Sequence, residues 1–313
     1  MTETTWLAME SQQRQDFDKQ GFLILESFFG SEEVRRLCDA ADEVVARIQE
    51  QKGLPPDSHF QVRNALAHHE VFLDLIDHPR ILALVVDAIG WNIQIRTTHL
   101  DYRPPYPETL EAGAVGEGRG ADHGAGYRNV VWHPDLASPE IFRAPSHDGR
   151  LPFMEIKVFY PLFDMTTSDC GNLWLAPGSH RRPFEDLHAM DCKVPMDQAL
   201  ELKLKPGDAV LWRTAVWHCV GPNRSRKTRK IMHVGYHYRW LRPTDYIEQD
   251  PELLARCSPV RRQLLGALAP DTDPLGPNSD IAPASQYWQA SNDDNVPLRS
   301  WAQNQRALVE TRG

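Results

Sequence analysis

Between Asn92 and Trp240 the chain is a succession of short apolar runs cut by glycine and proline, and no other feature constrains the fold as much. The runs are Ile93–Tyr102, Val130–His133, Glu155–Phe163, Asn172–Ala176, Ala209–Trp212 and Lys230–Trp240. Many short strands separated by turn signals fold into a sandwich or a barrel. Helices are expected on either side. Ahead of the runs, Gly21–Leu25 reads as a strand, and Ser31 reads as an N-cap with Glu32 and Glu33 in the first turn. Val34, Leu37, Ala41, Val44, Val45 and Ile48 then recur at helical spacing. Val71–Ile76 and Pro79–Ile89 read as two further helices, the second begun by Pro79 and ended by Gly90. A helical pattern returns over Pro251–Leu268, followed by coil rich in Pro and Asp and a last segment around Trp301. The expectation is one domain over 1–313: a strand and helices in 1–91, a mainly β core in 92–240 and a helical extension in 241–313.

Composition excludes several classes. Of 313 residues, 41% are hydrophobic and 25% charged, which supplies a core and rules out disorder along the whole chain. A formal charge of −9 argues against a protein held to nucleic acid by phosphate contacts. Five scattered cysteines without a CxxC pair indicate neither a zinc knuckle nor a disulfide framework. The first residues show no basic and then apolar leader, and no run reaches the ~20 apolar residues of a spanning helix. A cytoplasmic protein is expected, acting on a small molecule rather than on nucleic acid or membrane. Oligomeric state is left open.

The chemistry-bearing residues come in three stretches. Trp132-His133-Pro134-Asp135 is the first. Residues two apart on an extended strand face the same side, so His133 and Asp135 can converge on one point. Two histidines and a carboxylate on one face of an octahedron leave three positions open, the arrangement of non-heme Fe(II) oxygenases. By itself HxD is a weak signal, a spacing that thirteen histidines produce by chance, and an exposed turn histidine is the plainer reading. The second stretch runs from Gly207-Asp208 through Trp212 and His218 to Gly221-Pro222-Asn223 and Arg229. His218 is the candidate third ligand. Arg229, eleven residues later, is far enough on to turn and return antiparallel, where a guanidinium can hold the distal carboxylate of a dicarboxylate. Arg224, Arg226, Lys227, Arg229 and Lys230 also read simply as a solvated basic hairpin. The third, Asp169-Cys-Gly-Asn172-Leu-Trp-Leu-Ala-Pro-Gly-Ser-His180, is a turn, a short strand and a tight turn with no necessary chemistry of its own.

HPD, DCGNLWLAPGSH and GDAVLWRTAVWHCVGPNRS with an arginine at the eleventh position after the histidine, in that order, resemble the phytanoyl-CoA dioxygenase family. FDKQGFLILESFFGSEEVRRL and LIDHPRILALVVDAIGWNIQIRTTHLDYRPP resemble its opening elements, and PVRRQLLG is similar to the C-terminal helix of some members, so the likeness covers nearly the whole chain. It implies a double-stranded β-helix of the jelly-roll or cupin-like kind, with helical decoration. It further implies Fe(II) as cofactor, with 2-oxoglutarate and O2 as cosubstrates. His133, Asp135 and His218 match the iron ligands, Arg229 matches the arginine that pairs with the 5-carboxylate of 2-oxoglutarate, and His99 falls where relatives place a cosubstrate contact. Arg63, or Gln61 beside it, falls near a position where some relatives put a basic residue facing the pocket. The hydroxyl residue that some members carry two positions after the distal histidine is Val220 here. In related halogenases Gly or Ala replaces the carboxylate, so Asp135 implies oxygen chemistry: hydroxylation by default, with desaturation, cyclisation or epoxidation open to the same centre.

Substrate contacts are expected from the glycine-rich stretch Glu111–Tyr127, a candidate lid that ends at Tyr127, and from Leu136–Pro152 beyond the metal motif. Arg63, Tyr127 and His233 are the named candidates. His233 and His237 share a strand face with Arg229 and either line the pocket or sit in the core. The basic bias of Lys203–Arg242 is compatible with an anionic substrate, although part of it serves 2-oxoglutarate. The competing reading is a cupin-like metal-binding protein without this catalysis, in which Arg229 merely decorates the surface.

Overall fold

Strands gather where the short apolar runs stand. In the computed structural model, which describes residues 9–106, 130–135, 150–183, 194–267 and 296–310, they are β1 (Phe22–Leu25), β2 (Phe60–Arg63), β3 (Ile93–Arg103), β4 (Val130–His133), β5 (Glu155–Pro161), β6 (Leu173–Leu175), β7 (Leu200–Glu201), β8 (Ala209–Arg213), β9 (His218–Val220) and β10 (Arg229–Tyr238). They form a six-stranded sheet in the order β1-β8-β5-β10-β3-β2 and a four-stranded sheet in the order β4-β9-β6-β7. The helices are α1 (Ser11–Gln20), α2 (Ser31–Lys52), α3 (Leu73–Ile76), α4 (Pro79–Ile89), α5 (Pro251–Ala255), α6 (Pro259–Leu264) and α7 (Pro297–Glu310).

Two compact units divide the chain, and β3 and β10 run through both. One comprises the described parts of 11–63 and 99–233. Its core joins the two sheets: Phe22, Phe159, Trp212 and Ile231 from the large sheet cluster with Leu173, Leu175 and Val220 from the small one. Antiparallel sheets packed face to face around such a core make the double-stranded β-helix. The other unit comprises the described parts of 1–10, 64–98 and 234–313 and holds α3 to α7. There Tyr236 donates to the Ile76 carbonyl at 3.0 Å, and Arg261 reaches Asp74 and Asp77 at 2.7 and 2.8 Å. No helix of the described residues is long and apolar enough to cross a membrane.

Local departures from expectation have simple causes. The cap of α2 is Gly30, not Ser31: the Gly30 N–H donates to the Glu33 carboxylate at 3.0 Å, a bond that needs no hydroxyl. Within the described part of Pro251–Leu268 the chain forms two helices, α5 and α6. Proline disfavours helical backbone in the residue before it, and Ser258 instead caps α6 by accepting the Arg261 N–H at 3.2 Å. Glu111–Tyr127 lies outside the described residues, as does nearly all of Leu136–Pro152.

Candidate active site

β4 and β9 are antiparallel neighbours, with His133 directly opposite His218. The register between them shifts between Val130 and His133, the kind of irregularity that re-aims a side chain at the end of a strand. The two imidazoles lie 4.4 Å apart between centroids. Asp135 follows in a turn pinned by its own N–H, which donates to the Thr214 carbonyl at 2.9 Å. His133 Nε2 is then 3.9 Å from Asp135 Oδ1, and His218 Nε2 is 3.7 Å from Oδ2. One ligand atom from each of the three residues falls within 4.8 Å of the others.

The protonation states suit a cation. His218 Nδ1 lies 2.9 Å from the Val216 carbonyl, which can only accept, so Nδ1 donates and Nε2 keeps its lone pair. Burial, then the neighbouring His133, pushes the His218 pKa down to about 3, so the ring is neutral. Burial alone would raise the Asp135 pKa. The Lys157 ammonium outweighs it, with help from the two histidines, and holds the carboxyl well below its usual range. Two imidazoles and an ionised carboxylate fit Fe(II) as a facial donor set.

A second cluster surrounds Arg229, on β10. Its Nε donates to the Gly171 carbonyl at 2.7 Å and its Nη1 to Asp101 Oδ2. Nη2 is buried and has no hydrogen-bond partner among the described residues. Burial lowers the Arg229 pKa to about 10, which leaves it a cation at neutral pH. Gly171, at φ +70°, admits the arginine: a Cβ there would stand 2.6 Å from Arg229 Cδ. The DCGNLWLAPGSH stretch thus braces the site. Asn172 Nδ2 donates to the carbonyls of Met165 and Leu202 at 2.9 and 3.0 Å, and Ser179 Oγ accepts the Trp217 N–H at 2.8 Å, beside His218.

His99 on β3 and His233 on β10 stack at 4.3 Å with 18° between their planes. Burial lowers both pKa values well below the usual histidine value, aided by Lys157 at both and by each other's proximity at His233. The Nδ1 of each is buried without a hydrogen-bond partner among the described residues. Unsatisfied buried polar atoms are rare in a folded protein and mark places where a ligand or water belongs. Arg229 Nη2, His99 Nδ1 and His233 Nδ1 therefore fit a bound carboxylate or carbonyl. Phe159 packs against both clusters, edge-on to His233 at 5.2 Å and 5.8 Å beneath the guanidinium of Arg229.

Arg63, opposite His99 on β2, is exposed and donates to Gln61 Oε1 at 2.8 Å. Tyr127 lies outside the described residues. His237 belongs to the other unit, where Gln94 meets it at 3.4 Å, so it does not share the histidine stack. Val220 is an apolar core residue opposite Leu173 and Val130. Two residues of this region carry no sequence motif: Asp101, which holds Arg229, and Lys157, whose Nζ donates to Asp135 Oδ2 at 2.6 Å. A lysine inside an otherwise apolar strand, and an aspartate two residues from His99 on the same face, are the only signals that could have found them.

A double-stranded β-helix with two histidines on paired strands and an aspartate in the turn beside them defines the class of non-heme dioxygenases. The chain belongs to the phytanoyl-CoA dioxygenase (PhyH) family, whose model matches residues 17–231. It is 25% identical over 252 residues to a probable alpha-ketoglutarate-dependent hypophosphite dioxygenase of Stutzerimonas stutzeri, an alignment covering 72% of this chain and 77% of that protein. It is 24% identical over 184 residues to the ectoine dioxygenase of Nocardia farcinica, covering 57% of this chain and about half, 53%, of that one. In structure it resembles EctD from S. alaskensis with 2-oxoglutarate and 5-hydroxyectoine, at a TM-score of 0.56 and 20% identity, covering 83% of this chain and 87% of the other.

Proposed function

We propose that this protein is an Fe(II)- and 2-oxoglutarate-dependent oxygenase that hydroxylates an unactivated C–H bond of a small polar metabolite. The observation that carries the reading is the triad itself: a neutral His218, an ionised Asp135 and His133, with ligand atoms within 4.8 Å of one another. His133, Asp135 and His218 would hold the metal. Arg229, through Nη2, would anchor the distal carboxylate of 2-oxoglutarate, and His99 and His233 would meet it from the floor. When bound, iron and cosubstrate supply the oxidising chemistry, in which 2-oxoglutarate and O2 become succinate, CO2 and one oxygen atom placed in the substrate. The chain's part is positioning and exclusion of water. Phe159 and Trp212, both buried, stand edge-on to His233 at 5.2 and 6.2 Å and keep that side of the site dry.

The relatives named for hypophosphite and ectoine act on small polar compounds, which supports that substrate class here. Arg63 and Tyr127 stay candidates for substrate contact. Burial of Arg229, with Nη2 unpartnered, favours catalysis over a cupin-like protein with a decorative surface arginine.

Anaerobic titration of the Fe(II)-loaded protein with 2-oxoglutarate tests the proposal. A weak visible metal-to-ligand band should appear and should vanish in Arg229→Ala. Fully iron-loaded protein that gives no band, or a His133→Ala variant with unchanged iron affinity, would overturn it.

A further inference from the structure

Lysine is almost never buried without a partner. Lys157 stands in the middle of β5, all seven of whose residues are buried. In register it faces Trp212 on β8, and its Nζ lies 5.9 Å from that ring. Among the described residues its one hydrogen bond goes to Asp135 Oδ2, at 2.6 Å. Asp135 is gripped at its backbone as well, by Thr214, while Oδ1 accepts no hydrogen bond from the described residues. The carboxylate therefore has one occupied oxygen and one spare.

That asymmetry bears on ligation. A carboxylate can bind a metal through one oxygen or both. Three protein donors on an octahedral metal leave three positions, and a chelating 2-oxo acid with O2 needs all of them. A fourth protein donor atom, the second oxygen of Asp135, would compete for one. We propose that Lys157 is a positioning residue that occupies Oδ2 so that Asp135 offers the metal Oδ1 alone, keeping the coordination positions for 2-oxoglutarate open. This rests on the iron and 2-oxoglutarate reading above.

The test compares wild type with Lys157→Met, which keeps length and bulk but removes donor and charge. Two quantities are read: the visible d–d spectrum of the Co(II)-substituted protein without cosubstrate, and the Kd for 2-oxoglutarate of the metal-loaded protein. The variant should show an altered cobalt spectrum and a Kd raised about tenfold or more, the scale typical of groups that orient a metal ligand. Lys157→Arg, which restores a cationic donor, should move both readings back towards wild type, as a merely structural change would not. If the methionine variant fails to fold, Lys157→Leu, which also removes donor and charge, is read by the same two criteria. A raised Kd with an unchanged cobalt spectrum would mean that Lys157 touches the cosubstrate directly, and would overturn the positioning role. An altered spectrum with unchanged Kd overturns the proposed consequence. Wild type that takes up no metal or no 2-oxoglutarate refutes the underlying reading instead, so the two failures are told apart by which protein shows them.

Discussion

Asp101 and Asp135 are both aspartates held by a buried cation, and the two pairs are completed in opposite ways. Asp101 and Arg229 are sealed, with side chains 2% and 0% exposed. Both oxygens of Asp101 are taken: Oδ1 by Gln61 at 3.2 Å and His59 at 3.5 Å, Oδ2 by Arg103 at 2.8 Å and by Arg229. The spare hydrogen-bonding capacity sits on the cation, at Arg229 Nη2. Asp135 and Lys157 are more open, at 17% and 8%, and there the spare capacity sits on the anion, at Oδ1. An unsatisfied cation calls for an anion and an unsatisfied anion for a cation. A metal ion with a dicarboxylate satisfies both. Saturation separates a structural ion pair from a site more sharply than burial does.

Breaking the sealed pair should have the largest effect. Arg229→Ala leaves Asp101 buried against Arg103, Gln61 and His59 only, and removing one partner of a buried pair costs about 3–5 kcal/mol. Urea unfolding of the metal-free protein measures it. Replacing both partners, Arg229→Met with Asp101→Leu, should recover most of the loss while leaving 2-oxoglutarate unbound. A double variant as unstable as the single one would show that the pair is not the unit that matters.

Gly171→Ala strikes the same arginine without touching its charge. The new Cβ would meet Arg229 Cδ at 2.6 Å, on backbone that L-residues rarely adopt. A loss of about 1–3 kcal/mol is expected, together with weaker 2-oxoglutarate binding, since the guanidinium must move. Isothermal titration of the metal-loaded variant checks the second part. Unchanged affinity would mean that the cosubstrate does not use Arg229.

Acid probes the buried histidines, two of them beside these pairs. His99 and His233 are held neutral, well below their ordinary pKa, mainly by burial, and burial also takes His180 down to about 4. Below pH ~6.5 the unfolded chain binds protons that the folded chain refuses, so stability rises with pH across this window and falls as pH drops towards the folded values. The slope is about 1.4 kcal/mol per pH unit for each such proton. For Asp101 burial works upwards, but Arg103, Arg229 and His59 outweigh it and hold the carboxyl well below the usual range. Its contribution is therefore intact above pH ~3.9 and is lost only at lower pH. Stability of the metal-free protein should fall from pH 6.5 downwards, and His233→Phe should flatten that slope. An unchanged slope would show that His233 titrates as it does in the unfolded chain.

Local spacing made part of this legible. The HxD spacing puts His133 and Asp135 close together, although the turn after β4 rather than the strand period aims Asp135; the strand before His218 and the turn at Gly221-Pro222 bring Arg229 back, and Pro79 and Gly90 mark the ends of α4. The resemblance supplied the order of the motifs and with it the β-helix. Asp101 and Lys157 stayed hidden because their meaning lies in partners on other strands, 128 residues away for Asp101 and 22 for Lys157. In the sequence one is a polar residue at a strand end and the other a lysine in an apolar run. α1 leaves no signature in the sequence, because SQQRQDFDKQ offers a single buried side chain, Phe17, and no apolar periodicity. β2 leaves none either, because only Val62 of its four residues is buried.

The smallest change sharpens the comparison most. Asp135→Asn is nearly isosteric and keeps a carbonyl oxygen for the Lys157 ammonium while removing its counter-charge, so the metal-free protein should lose about 1.5–3 kcal/mol, the worth of a hydrogen bond to a charged group. Asp101→Asn, by contrast, places an amide N–H₂ against donors on every side and should cost more, by the same assay. With metal the order of importance reverses. A ligand at a hundred times its Kd stabilises the folded state by about 2.7 kcal/mol, and wild type should gain on that scale from Co(II) or Mn(II). The asparagine variant should gain almost nothing, because a neutral amide is a far poorer donor to a hard cation than a carboxylate. Thermal melts of the two variants with and without Co(II) give all four numbers. If Asp135→Asn keeps the metal-induced shift while Asp101→Asn loses it, the spare oxygen of Asp135 is not where the cation binds, and the cluster around Asp101 would have to be re-read as the metal site.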